Sequence, residues 1–157
     1  MHLVRNAFSE ALDRPLLIAG IGSAIDGDDR AGLLAARRLR ELLPEVRVIE
    51  TSDPSSLIAE WIGCDTVILI DAMRSGRPPG TVVRFDALPD ARSAAFASTH
   101  GFSVLDAIAL ARALGSMPRH LIVYGIEIGD ADAAVRAIDS VASDVIRAIS
   151  AFRAFPA

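Results

Sequence analysis

The chain has 157 residues, 52% hydrophobic and only 5% aromatic, with 16 basic residues against 20 acidic ones and a formal net charge of -4. This length fits one ordinary domain, residues 1–157 with its core over about 15–152, large enough to bury about 70% of the surface its unfolded form exposes. Every basic residue is Arg, with no basic run and no interleaved aromatics, so a nucleic-acid partner is not expected, and the absence of Lys excludes a phosphate-loop ammonium.

Residues 1–14 read as a loosely patterned lead-in. Pro15 opens a first strand, Leu16 to Ala19, where its missing N–H costs little. Gly20 bounds that apolar run, and apolar periodicity resumes at Leu33, so Ile21 to Asp29 is the turn into a helix ending before Pro44. Adjacent carboxylates, Asp28 and Asp29, lie in that turn; one is enough to cap the helix, which leaves the other for chemistry. On the helix, Leu33, Leu34, Leu39, Leu42 and Leu43 form the apolar set, with Arg37, Arg38, Arg40 and Glu41 facing water. Val46, Val48 and Ile49 make a second strand.

Asp53 followed by Pro54 reads as a cap and first helical position, leading to Leu57, Ile58, Trp61 and Ile62 before Gly63 stops the turn. Trp61 has the spacing of a packing residue. Thr66 to Ile70 is β-branched and apolar throughout, as expected of a central strand covered on both faces, and it ends in Asp71. Only Ala72 to Gly80 separate it from Thr81 to Phe85, too few residues for a helical crossover, so the fourth strand is expected to return antiparallel. Asp86 to Thr99 reads as a loop, Ser103 caps a helix closed by Gly115, Leu121 to Tyr124 form the fifth strand, and Gly125 to Gly129 are the loop leaving it. Val135, Ile138, Val141, Ala142, Val145, Ile149 and Phe152 mark the buried face of a last helix. The expected fold is an α/β, three-layer α/β/α sandwich on a mixed five-stranded sheet.

In an open α/β sheet, ligands bind beyond the carboxyl ends of the strands. If the first, third and fifth strands are parallel, Asp28, Asp29, Asp71 and Glu127 share one rim, while His120 and Cys64 fall at the other. His100 alone among the histidines lies in a long loop feeding a helix, where it can fold over the acids. Clustered carboxylates must share a proton or recruit a cation. Two carboxylates and an imidazole suit zinc or nickel with open positions, or magnesium if the imidazole is not a ligand; the alternative is that Asp71 simply bonds backbone donors at a strand end. Other chemistry has less support. Ser23 is not in the Gly-x-Ser-x-Gly elbow of a nucleophile, Cys64 reads as buried packing, and acids stand where a dinucleotide pyrophosphate would approach Gly20-x-Gly22.

Five stretches in this order, Gly20-Ile21-Gly22-Ser23 with Asp28-Asp29-Arg30-Ala31-Gly32, Ile70-Asp71-Ala72, Pro79-Gly80-Thr81, Ser98-Thr99-His100-Gly101 and Gly125-Ile126-Glu127, resemble the hydrogenase maturation endopeptidases, which trim the C-terminal tail of the nickel-iron hydrogenase large subunit. The resemblance runs from about Leu16 to Phe152, with Ser23 standing where Asn is common, Arg30 for Gly and Ile128 for Pro. It implies an α/β/α sandwich, a precursor of that large subunit as partner, and nickel supplied by the substrate in place of a tightly bound cofactor. Residue by residue it implies Asp29, Asp71 and His100 as the nickel-contacting and catalytic set. Arg74 and Arg77, near Asp71, are candidates to contact the substrate tail.

Two other classes share the acidic rim. A non-catalytic metal chaperone would use the same ligands, and a receiver-like signalling domain also carries an acidic pair after its first strand and an Asp ending its third. Receivers place a Lys after the fifth strand, where this chain reads Gly125-Ile126-Glu127. A single cysteine excludes an intrachain disulfide and a multi-thiolate zinc site, and neither a signal-peptide pattern nor a membrane-length apolar run is present, so a cytoplasmic location away from membranes is expected.

Overall fold

Runs rich in Leu, Ile and Val form the middle of the sheet, because a strand covered on both faces buries nearly all its side chains. In the computed structural model, which describes residues 15–23, 30–87 and 103–154, these runs are β1 (Leu16–Ile21), β3 (Thr66–Met73) and β5 (His120–Glu127), flanked by β2 (Arg47–Thr51) and β4 (Val82–Asp86). The strand order is β2-β1-β3-β5-β4, with β4 antiparallel to β5 and the other pairs parallel. The short link before β4 therefore reverses the chain as its length requires.

Side chains alternate across the strands and divide the interior into two layers. Ile18, Ile68, Ile70, Ile122, Tyr124 and Ile126 pack with Leu39 of α1 (Ala31–Leu42) and with Val141 and Val145 of α4 (Ala131–Ala154). Leu17, Ala19, Val67, Leu69, Leu121 and Val123 pack on the other side with Leu57 and Trp61 of α2 (Leu57–Trp61) and Ala107, Ile108 and Ala111 of α3 (Val104–Leu114). Trp61 is buried and donates its indole N–H to the Ser116 carbonyl at 3.1 Å, so it is a packing residue with its one polar atom satisfied.

Local signals set the element ends. Asp53 accepts the Ser55 N–H at 3.0 Å ahead of Pro54, capping a short 3-10 turn, Pro54–Ser56, that runs into α2. Ser103 and Asp106 form a capping box at the start of α3, and Gly115 ends that helix in the left-handed conformation at φ 67°.

Other expectations are corrected. β3 continues two residues past Asp71, and β5 continues through Gly125 to Glu127, because the two strands pair in register as far as Met73 opposite Glu127. Leu34, Leu42 and Val135 are exposed: α1 presents a stripe of small residues, Ala31, Gly32, Ala35 and Ala36, to the sheet, and the first turns of α4 bury Ala133 and Ala137 instead. Cys64 is half-buried. Among the described residues no helix is long and apolar enough to cross a membrane.

Candidate functional site at the carboxyl ends of the strands

The connections after β1 and β2 leave on opposite faces of the sheet, α1 over one layer and α2 over the other, which makes the gap between β1 and β3 a topological switch point. The last β1–β3 pair in register is Gly20 with Ile70. Beyond it the chain continues its pairing with β2 alone, the Gly22 N–H donating to the Thr51 carbonyl at 3.0 Å. Asp71 is the next residue of β3, half-buried, beside the end of β1 on one flank and paired with Gly125 of β5 on the other. Alternation with Val67 and Leu69 carries it to the α2–α3 face. Asp71 thus stands where a carboxylate can meet a ligand while its backbone stays in the ladder.

Two glycines seat the start of α1 against this place. A Cβ on Gly32 would run into the carbonyl oxygens of Ile21 and Ile70, and a Cβ on Gly20 into the Gly32 carbonyl and the Ala36 side chain. The first turn of α1 therefore lies directly on the end of β1 and on the Ile70 carbonyl, the residue before Asp71 in β3. Arg30 occupies the N-cap position without a side-chain capping bond. α4 also begins at this rim, following β5. α3 runs back towards the amino end of β5 and packs against the 3-10 turn after β2, so Ser103 opens it at the same rim. Three helix N-termini facing one edge favour ionised carboxylates there.

Glu127 does not join Asp71 as an open carboxylate. It is 4% exposed, and its oxygens accept the Ser75 N–H at 2.9 and 3.1 Å, the Ser75 hydroxyl at 2.6 Å and the Gly76 N–H at 3.2 Å. Burial alone pushes its pKa up, but the Ser75 and Gly76 hydrogen bonds and the nearby Arg77 charge outweigh it and hold the carboxyl below its ordinary value. Its backbone is equally committed, donating to Thr81 O at 2.9 Å and accepting from Gly80 N at 2.8 Å. A carboxylate inside the apolar run Ile126 to Ile128, with a Ser-Gly turn elsewhere to satisfy it, was the available signal, and reading Gly125 as a strand end concealed it.

The remaining candidates sort by position. Asp28, Asp29 and His100 lie outside the described residues. Among the described residues no group of three His, Cys, Asp or Glu side chains is placed to hold a metal ion. His120, at the amino end of β5, stacks on Phe152 with ring centroids 4.7 Å apart, and Cys64, its thiol pushed up by burial, precedes β3 at that same opposite end. Arg74 and Arg77 are exposed on the turn after β3, Arg77 donating to the Ser75 hydroxyl at 2.9 Å.

A family model described as hydrogenase maturation protease, HycI, matches residues 34–152, a span that includes Asp71 and His100 and begins after Asp29. The hydrogenase expression/formation protein HupM of Azotobacter chroococcum mcd 1 is 31% identical over 118 residues, covering 71% of this chain and 56% of that protein. HupD of Thiocapsa roseopersicina is 27% identical over 121 residues, covering 73% and 55%. The chain thus spans just over half the length of the curated relatives it matches. Among solved structures, the hydrogenase maturating endopeptidase HybD from E. coli superposes with a TM-score of 0.68 at 20% identity, covering 87% of this chain and 92% of that one. The [NiFe] hydrogenase maturation protease HycI from Thermococcus kodakarensis gives 0.67 at 24%, covering 90% and 97%. At these identities the structural likeness concerns the fold.

Proposed function

Because the chain belongs to the hydrogenase maturation protease family, we propose that it is an endopeptidase that removes the C-terminal extension of a nickel-loaded hydrogenase large-subunit precursor. Asp29, Asp71 and His100 would complete the coordination of nickel that the precursor itself carries. The observation that carries this reading is the place of Asp71, at the switch point beside the end of β1, with the first turn of α1 seated against the neighbouring Ile70 carbonyl. Carboxylate oxygens and an imidazole nitrogen are donors that a divalent first-row metal accepts, and a ligand set shared between two proteins makes recognition conditional on the loaded substrate. Nickel held there supplies Lewis acidity towards the scissile carbonyl or the attacking water. The chain's own residues orient that ion and seat the tail in the crevice.

The test is cleavage of purified precursor with and without nickel. Cleavage is expected only with nickel, and Asp71→Asn is expected to slow it by more than about 100-fold, as the loss of several kcal/mol of metal-assisted stabilisation requires. Binding of loaded precursor without cleavage would replace the protease by the chaperone reading. Equal cleavage of nickel-free precursor would remove the metal from the mechanism.

A further inference from the structure

Glu127 is a buried carboxylate that the cleavage reaction above does not use, and among the described residues its side chain bonds the turn that follows β3. The same turn is fixed at its far end, where Gly80, at φ 86°, lies so close to the first turn of α4 that a Cβ would approach the Ala133 carbonyl oxygen to 2.9 Å. Thr81 closes it by donating its hydroxyl to the Pro78 carbonyl at 2.6 Å. Glu127 and Asp71 lie on the same face of adjacent strands, because Asp71 pairs with Gly125 and Met73 with Glu127. The turn held by Glu127 therefore borders the rim at which Asp71 stands. It carries the exposed cation Arg77, which is tied to the Ser75 hydroxyl at 2.9 Å.

We propose that Glu127 is a positioning residue for the substrate: by binding Ser75 and Gly76 it holds the Arg74–Arg77 turn rigid, so that the polypeptide tail of the precursor docks against a preformed wall. This rests on the protease reading above and adds the segment that receives the tail. Three donors, the Ser75 N–H and hydroxyl and the Gly76 N–H, held by one carboxylate fix the turn before the substrate arrives, which removes an ordering cost from binding. The step affected is docking of the tail, and Glu127 itself takes no part in bond cleavage.

The experiment compares wild-type, Glu127→Gln and Ser75→Ala proteins by steady-state cleavage of nickel-loaded precursor, with amide exchange followed in parallel. Glu127→Gln places an amide NH2 against backbone donors. It is expected to release exchange at Ser75 and Gly76, leave α4 protected, and raise KM about tenfold with kcat changed less than about threefold. Ser75→Ala keeps the glutamate and removes one hydroxyl donor, so a KM rise of about two- to fourfold is expected from a protein whose fold is undisturbed. Released exchange with KM unchanged, or a fall in kcat with KM unchanged, overturns the positioning role and leaves the protease reading standing. Failure of the wild-type protein to cleave the loaded precursor overturns the protease reading, and the docking role with it.

Discussion

A carboxylate inside a protein is stable only when its surroundings favour the charged form, and Glu127, Asp144 and Glu50 meet that condition in different ways. Glu127 is held by Ser75 and Gly76. Asp144 is lowered chiefly by the Tyr124 hydroxyl, which donates at 2.5 Å, and Glu50, despite some burial, by Arg40 and Arg37. For each the folded value lies below the unfolded one, so the stability it contributes is fully present above the ordinary carboxylate value, about 4, and is lost as pH falls through the folded value. Stability is therefore expected to decline on acidification below about pH 5. Glu127→Gln should start less stable at pH 7 and fall less steeply between about pH 5 and 3, because one titrating carboxylate is gone while the other two still contribute. Urea midpoints measured across that range check this, and a slope identical to wild type would count against a folded-state role for the Glu127 charge.

At the scale of elements, the contact between α1 and the ends of β1 and β3 depends on one missing methyl group. Gly32→Ala pushes a Cβ into two backbone carbonyls, which cannot swing aside as a side chain would, so a loss of about 1–3 kcal/mol is expected in chemical denaturation. Ser103→Ala removes only the cap of α3 and should cost about 1 kcal/mol, which separates a local loss from a displaced rim. What the sequence made legible follows the same division. Asp53-Pro54, Ser103 and Gly115 act through neighbours in the chain, and the reversal into β4 follows from a link too short for a helix, so each was readable from residue types alone. The reach of β5 through Gly125 was not, since it depends on β3 continuing beside it. Nor was the exposure of Leu34, whose helix buries alanines on the sheet. Asp71 was legible as the first polar residue after an apolar run. The partners of Glu127 lie 51 and 52 positions away, and no local pattern joins them.

Over the whole molecule, the two ends of the sheet differ in character. One end gathers Asp71, the Glu127-bound turn and three helix N-termini; the other holds Cys64 and the stacked His120 and Phe152. Binding of loaded precursor is expected to slow amide exchange at 71–77 and at the first turn of α3, and to leave the start of β5 unchanged. Exchange mass spectrometry on the complex reads this directly, and a footprint centred on His120 would move the docking face to the opposite end.

The seat of Gly32 on the Ile21 and Ile70 carbonyls has a mechanical corollary. With no room for even a methyl group between helix and strands, α1 behaves as an anvil, and drawing it outward would strip those close contacts. On the docking proposed above, the gauge of the opening is then set by two fixed sides, this helix and a two-residue bend gripped by a single glutamate.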